Sequence, residues 1–104
     1  MRLVIVESPY AGDVRANEEY ARKCLADCIK RGEAPFASHL LYTQAGVLDD
    51  AIPEERRKGM TAGFAWLAKA DASVVYIDHG ISKGMIEGIK KAWALGIPVE
   101  TRTL

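Results

Sequence analysis

The chain alternates short apolar runs with longer segments in which apolar residues recur every three or four positions. Residues 2–7, "RLVIVE", and 72–78, "ASVVYID", are the clearest apolar runs and predict strands covered on both faces. Weaker runs at residues 33–39 and 97–102 predict two more strands, and residues 40–44 predict the start of a short helix. This alternation favours an α/β fold with a parallel sheet.

Three longer segments, residues 17–32, 53–70 and 82–96, predict amphipathic helices. Asn17 is the expected N-cap of the first and Ser82 that of the third, because both side chains can accept a hydrogen bond from the first turn. The expected inward faces are Tyr20, Cys24, Leu25, Cys28 and Ile29 on the first helix, Met60, Gly63, Phe64 and Leu67 on the second, and Ile86, Ile89 and Trp93 on the third.

Four strands joined by right-handed crossovers predict a small doubly wound sheet with the order 2-1-3-4, in one domain over residues 1–104. Ligands of such sheets bind beyond the carboxyl ends of the strands, where the winding direction reverses. The crevice is therefore expected between the ends of the first and third strands. The loops at residues 7–12, "ESPYAG", and 78–85, "DHGISKGM", would flank it.

The composition narrows the choice of partners. Lys plus Arg and Asp plus Glu number 14 each, so the overall charge gives no reason to expect binding to nucleic acid or to an acidic membrane. No apolar run is long enough to span a bilayer, and the first apolar run is too short for a signal peptide, so a cytoplasmic location is expected. Cys24 and Cys28 are expected as small buried side chains. Neither a metal nor a cofactor is predicted.

The segment "SKGM" opens the last predicted helix, where free N–H groups and the helix dipole favour an anion. Ser82 could cap this helix or donate its hydroxyl to a ligand, and Gly84 permits close approach of the backbone. Asp78 ends the third strand at the crevice. Its side chain could cap a turn, or it could accept hydrogen bonds from sugar hydroxyls or a base N–H.

Other polar and aromatic residues are expected around the same rim. Tyr10 could stack on a base or cover the sheet edge, Ser8 adds a hydroxyl, and His39 could reach the crevice. Arg56 and Arg57 could belong to a solvated charged face beside two glutamates, and their roles stay open. The predicted ligand-binding residues are Ser8, Pro9, Tyr10, Gly12, His39, Asp78, Gly80, Ser82, Gly84 and Met85.

Three segments, "LVIVESPYAG", "VVYIDHGISKGM" and "AWALGIPVE", resemble the nucleoside 2-deoxyribosyltransferase-like group. The resemblance spans nearly the whole chain and implies a small doubly wound fold with a nucleoside-type ligand. The segments "HLLYTQ", "LDD" and "PEERRKGMTAGFAW", together with "DHGISKGM", look more closely like an uncharacterised subfamily common in phages and prophages.

In the enzymes of that group, a Glu on the last helix attacks the anomeric carbon of the sugar, and an Asp near the end of the third strand contacts the base. A neighbouring subunit often completes the site. With Gly84 and Ala92 aligned on the enzymes' pattern, the Glu position falls on Gly88. Glu87 is one residue away, a rotation of about 100° on a helix. The resemblance therefore implies that this chain lacks the nucleophile.

These observations lead to three hypotheses of function. The first is binding of a nucleotide-derived small ligand without turnover, as in a phage protein that sequesters a nucleotide immune signal such as a cyclic nucleotide or cyclised ADP-ribose. The second is an enzyme that cleaves or transfers N-glycosides through Glu87, Asp78 or His39. The third is a structural or regulatory partner protein. Apolar candidates for the surface such as Trp66 also predict a homo-oligomer.

Overall fold

Four parallel strands form a single sheet in the computed structural model, which describes all 104 residues. The strands are β1 (Leu3–Glu7), β2 (Ala34–Phe36), β3 (Ala72–Tyr76) and β4 (Val99–Arg102), in the order β2-β1-β3-β4. The helices are α1 (Val14–Lys30), α2 (Ser38–Leu41), α3 (Pro53–Leu67) and α4 (Lys83–Ala94). The predicted α/β architecture and strand order are confirmed. None of these helices has the length and apolarity that crossing a membrane requires.

The two faces of the sheet carry different helices. Val4 and Val6 of β1 join Val74 and Tyr76 of β3 in a core that includes the buried side of α1. Ile5 points to the opposite face, where it meets residues of α3 and α4. Because successive strand residues point to opposite faces, this alternation also decides which face receives each residue at the ends of the strands.

The start of α1 differs from the prediction. The N-cap is Asp13, whose carboxylate accepts a hydrogen bond from the Ala16 N–H at 3.2 Å. Asn17 lies inside the first turn, and its side-chain amide donates to the carbonyls of Tyr10 and Ala11. Asp is as good a cap as Asn, and the earlier cap gives the helix another turn. The amide of Asn17 instead holds the loop that follows β1.

The second strand is shorter than predicted. It pairs with β1 only from Ala34 to Phe36, and Ser38 and His39 belong to the single turn of α2. Pro35 has no N–H to donate, which suits an edge strand but gives a weak one. The early end of β2 places His39 on a helix that faces the end of β1.

The inward face of α4 also differs from the prediction. Trp93 is 66% exposed and Ile86 is 43% exposed, whereas Met85, Gly88 and Ala92 are buried. Small residues on this face let the helix backbone lie close to the sheet. On α1, the expected stripe of Tyr20, Cys24 and Cys28 is buried, but Ile29 is 62% exposed.

Candidate functional site

A cleft of about 190 Å³ lies at the carboxyl end of β1, between α2, α3 and the first two turns of α4. This is the edge of the sheet at which the winding direction reverses, as the sequence predicts for the crevice. Its apolar wall comes mainly from Ile5, Leu48, Met60, Phe64 and Leu67. Its polar groups come from the end of β1, from α2 and from the facing ends of α3 and α4.

Glu7, the last residue of β1, extends into the cleft on the same face as Ile5. Burial alone raises the pKa of its carboxyl to about 8. The carboxyl lies against the backbone of α4 at Gly88. A methyl group added to Gly88 would be 2.1 Å from Oε2 of Glu7 and 2.6 Å from its Cδ. The Glu7 carboxyl therefore occupies the space that a side chain at position 88 would fill.

Ser8 and His39 form a second polar group in the cleft. The Ser8 Oγ and the His39 Nε2 are 2.7 Å apart and share a hydrogen bond whose direction depends on the imidazole tautomer. Burial lowers the pKa of His39 to about 4, so the imidazole is neutral at physiological pH. The ring of Tyr10 stands edge-on to His39 with the centroids 6.4 Å apart. This group can donate and accept hydrogen bonds without carrying charge.

Two cationic side chains, together with the carboxylates of Asp50 and Glu55, line the cleft where α3 meets the start of α4. The Arg56 guanidinium, from α3, reaches the first turn of α4, with Nη2 3.3 Å from the position of a methyl group at Gly84. Asp50 is a loose partner, 3.8 Å from Nη1. Lys83, the first residue of α4, lines the same end. Together with the positive end of the α4 dipole, these side chains favour a ligand with an anionic group.

Ser82 is used by the protein itself at this point. Its Oγ accepts a hydrogen bond from the Met85 N–H at 3.3 Å, and its own N–H lies 3.4 Å from the Met85 sulfur. The predicted cap of α4 is confirmed by this geometry. No group of three His, Cys, Asp or Glu side chains is placed to hold a metal ion.

The predicted ligand-binding residues fall into two sets. Those that line the cleft are Ser8, Tyr10, His39, Ser82, Gly84 and Met85. Those that do not are Pro9, Gly12, Asp78 and Gly80. Of the two arginines whose role was open, Arg56 lines the cleft, whereas Arg57 is exposed and lies outside it.

Asp78 is engaged on the other side of the sheet. Its Oδ2 accepts a hydrogen bond from the Tyr20 hydroxyl at 2.6 Å, and its Oδ1 accepts one from the Leu104 N–H at 3.1 Å. It shares this side with Tyr76, two residues earlier. Glu87 is exposed on α4 and outside the cleft. Neither carboxylate named for the enzyme hypothesis is thus at the cleft.

Glu7 is the main residue that the sequence reasoning missed, because it was counted as part of the first strand. A signal was present: a charged residue directly follows four apolar ones at the predicted crevice. Arg56 and Lys83 carried no comparable signal, since their positions depend on how α3 and α4 meet. The apolar wall from α3 could not be distinguished from an ordinary core face.

A family model described as "Domain of unknown function (DUF7768)" matches residues 2–102. No curated protein sequence matches the chain. Among solved structures, a 2-deoxyribosyltransferase from Bacillus psychrosaccharolyticus is similar with a TM-score of 0.74 and 17% identity, over 97% of this chain and 72% of that one. A 2-deoxyribosyltransferase from Leishmania mexicana is similar with a TM-score of 0.65 and 15% identity, over 99% of this chain and 65% of that one.

At these identities the likeness shows a shared fold. It confirms the predicted 2-deoxyribosyltransferase-like fold. The phage subfamily and the loss of a nucleophile at Gly88 stay predictions. The chain spans about two thirds of the length of the Leishmania protein, so that protein contains further segments that have no counterpart here.

Proposed function

The chain belongs to the DUF7768 family, whose name states no activity, and we propose that its cleft binds a small molecule derived from a nucleoside or nucleotide. The observation that carries this proposal is the polarity of the cleft. The cleft combines an apolar wall from α3, the uncharged Ser8–His39 pair and a cationic rim at Arg56 and Lys83. A nucleotide has parts of the same three kinds: a flat base, a hydroxylated sugar and a phosphate.

Each part of such a ligand has a matching region. The base would lie against Met60 and Phe64, with Tyr10 at its edge. The phosphate or another anionic group would lie at Arg56 and the start of α4. The fold shared with two 2-deoxyribosyltransferases supports a nucleoside-type ligand, since ligands of open α/β sheets bind at this edge.

Binding without turnover agrees best with the placement of the carboxylates. Glu87 and Asp78 are outside the cleft, and Gly88 has no side chain to act. Glu7 is inside, but burial holds it in the acid form at neutral pH, and a protonated carboxyl is a poor nucleophile. A protein that binds without turnover would sequester its ligand, and a nucleotide immune signal is the specific ligand that we propose.

The second candidate is cleavage or transfer of an N-glycosidic bond. It is favoured by one observation: the Glu7 carboxyl fills the space next to Gly88, where the resemblance places the nucleophile. The ionised Glu7 would attack the anomeric carbon, and the base would leave with the bonding electrons and take a proton from solvent. Water or a second base would then attack the same carbon and release the sugar from Glu7. Because only the carboxylate attacks, this activity would rise with pH through about 8 and level off above it.

Titration calorimetry with nucleosides, nucleoside monophosphates, cyclic dinucleotides and cyclic ADP-ribose tests the first proposal. Arg56→Gln is expected to lower the affinity for phosphorylated ligands more than the affinity for nucleosides, because only phosphorylated ligands reach the cationic rim. Arg57→Gln is the matched control, since Arg57 is the next residue along α3, is exposed and lies outside the cleft. Absence of binding by every compound would reject the proposal.

Chromatography of the same mixtures separates the two candidates. Recovery of the intact ligand after heat denaturation of the complex supports binding without turnover. Release of a free base that Glu7→Gln abolishes supports the enzyme. Base release that persists in Glu7→Gln would place the chemistry elsewhere and reject the role given to Glu7.

A further inference from the structure

Glu7 differs from Glu33 and Asp27 in having no partner within the chain. Glu33 pairs with Arg102, and Asp27 accepts a hydrogen bond from Tyr76. No group of the chain hydrogen-bonds or forms an ion pair with Glu7, and burial raises the pKa of its carboxyl to about 8. The carboxyl is half-buried and lines the cleft, so a ligand there can reach its unpaired oxygens.

Gly88 provides the space for this carboxyl. A methyl group at position 88 would overlap both the Oε2 and the Cδ of Glu7, at 2.1 and 2.6 Å. The Gly88 backbone is helical, so its lack of a side chain is not explained by a left-handed turn. The glycine instead allows the Glu7 carboxyl to lie between the end of β1 and the inner face of α4.

The titratable groups around the cleft leave Glu7 in its acid form at neutral pH. The neighbouring helix α2 contributes His39, which is neutral because burial lowers its pKa to about 4. The α3 side contributes Asp50, Glu55 and Arg56, and α4 contributes Lys83. None of them pairs with Glu7, whose pKa is raised to about 8 by burial. Its carboxyl therefore has one O–H donor and one free acceptor oxygen.

We propose that Glu7 is the residue that holds the base: its carboxylic acid pairs with a nucleobase edge on which a ring-nitrogen acceptor lies beside an amino group. This inference rests on the proposed function, because it names the recognition group for that ligand. The ring nitrogen and amino group of adenine or cytosine form such an edge. Ionised Glu7 can only accept, so it would face the lone pair of the ring nitrogen and leave that acceptor unpaired.

The test is titration of the full-length chain with adenosine, cytidine and purine riboside from about pH 6 to about pH 9.5. Adenosine and cytidine carry the full edge, whereas purine riboside keeps the ring acceptor and lacks the amino group. We expect affinity for adenosine or cytidine to fall in the wild type above about pH 8, towards a tenfold loss per pH unit. Purine riboside should bind more weakly, by roughly two- to tenfold.

Two variants and a matched control isolate Glu7. Glu7→Gln retains a donor and an acceptor, so it should bind the same nucleoside with no loss above pH 8. Glu7→Ala removes both and should bind roughly tenfold more weakly below pH 8. Glu87→Gln makes the same chemical change at an exposed position of α4 and should keep the wild-type profile.

The outcomes separate the inference from the proposed function. A wild-type affinity that does not change with pH, or equal affinity in the wild type and Glu7→Ala, overturns the inference and leaves nucleoside binding standing. Absence of binding by the wild type and every variant at every pH overturns both. Loss at high pH that Glu7→Gln fails to remove assigns the titration to another group and also overturns the inference.

Discussion

Two glutamates next to strand ends have opposite environments: Glu33 is buried, and Glu7 is half-buried at the cleft. Glu33, just before β2, is 5% exposed and receives two hydrogen bonds of 2.7 Å from Arg102, which hold its pKa below the ordinary value. Glu7, at the end of β1, has no such partner, and burial raises its pKa to about 8. The first carboxylate is committed to the fold, whereas the second keeps its hydrogen-bonding capacity for the cleft.

The environment of Glu33 is a connected network. Arg102 also reaches the Tyr76 hydroxyl at 3.4 Å and Glu100 at 3.3 Å, and Tyr76 donates to Asp27. These contacts join the end of β4 to α1 and to the start of β2. The cleft has no equivalent network around Glu7. A paired network stabilises one arrangement, while an unpaired group is stabilised only when a ligand binds.

The largest expected effect comes from breaking the pair at Glu33. Arg102→Met should destabilise the protein by about 3 kcal/mol, because it leaves the buried Glu33 carboxylate with only the more exposed Arg2, at 3.2 Å, as a partner. Urea unfolding at neutral pH measures the loss. The double variant Arg102→Met, Glu33→Met should recover most of it, since no buried charge remains. A loss in the single variant below about 1 kcal/mol would contradict the committed role of Glu33.

The next largest effect is a gain of stability at Glu7. The pKa of its carboxyl is raised from 4.5 to about 8, so the acid form is favoured in the folded state. The contribution of Glu7 to the free energy of unfolding is fully present below pH 4.5 and is lost as the pH rises through about 8. Glu7→Gln should therefore match the wild type at pH 4 and exceed it by about 1–3 kcal/mol at pH 8.

Urea unfolding of both proteins from about pH 4 to about pH 9 measures this difference. Glu33 is present in both proteins, so the stability that it loses in acid cancels in the difference. Glu87→Gln is the control and should follow the wild type throughout. An equal difference between Glu7→Gln and the wild type at every pH would show that burial does not shift the titration of Glu7.

A smaller effect is expected at Asp78, a paired carboxylate outside the cleft. Asp78→Ala removes the acceptor for the Tyr20 hydroxyl and the Leu104 N–H. We expect a modest drop in melting temperature, smaller than that of Arg102→Met, because this carboxylate is exposed. Nucleoside affinity should be unchanged. A loss of affinity without a loss of stability would instead return Asp78 to the site, as the resemblance implies.

The fold could be predicted because its signals are local. Apolar runs give the strands, and the rule of right-handed crossovers gives the order β2-β1-β3-β4. The position of the crevice follows from that order. The placement of Asp78 on the side of α1 could also be predicted, since residues two apart in a strand point to the same face and Tyr76 faces α1.

The remaining features depend on contacts between distant segments. The pairing of Ser8 with His39 requires β2 to stop at Phe36 and α2 to begin at Ser38. The contact between Glu7 and Gly88 requires a particular distance between β1 and α4. The resemblance marked Gly88 as a missing side chain, but only the packing shows which residue fills that space.

The smallest effect on stability tests that packing directly. The Glu7 carboxyl is the free end of a flexible side chain, so Gly88→Ala can be accommodated by moving it. A helical Ala is also favoured over Gly by about 1 kcal/mol, which offsets the strain. We expect the free energy of unfolding to change by less than about 1 kcal/mol, while nucleoside affinity falls because the carboxyl has left its position.

A double-mutant cycle distinguishes displacement of Glu7 from a general effect on α4. Once Glu7→Ala has removed the carboxyl, Gly88→Ala meets no obstacle and should cause no further loss of affinity. The two changes would then be strongly non-additive in binding, and non-additive in stability by about the 1 kcal/mol of strain that Glu7→Ala removes. If they are additive in both, Gly88 acts independently of Glu7, and the opposed roles of Glu7 and Glu33 rest on burial and pairing without any contribution from the glycine.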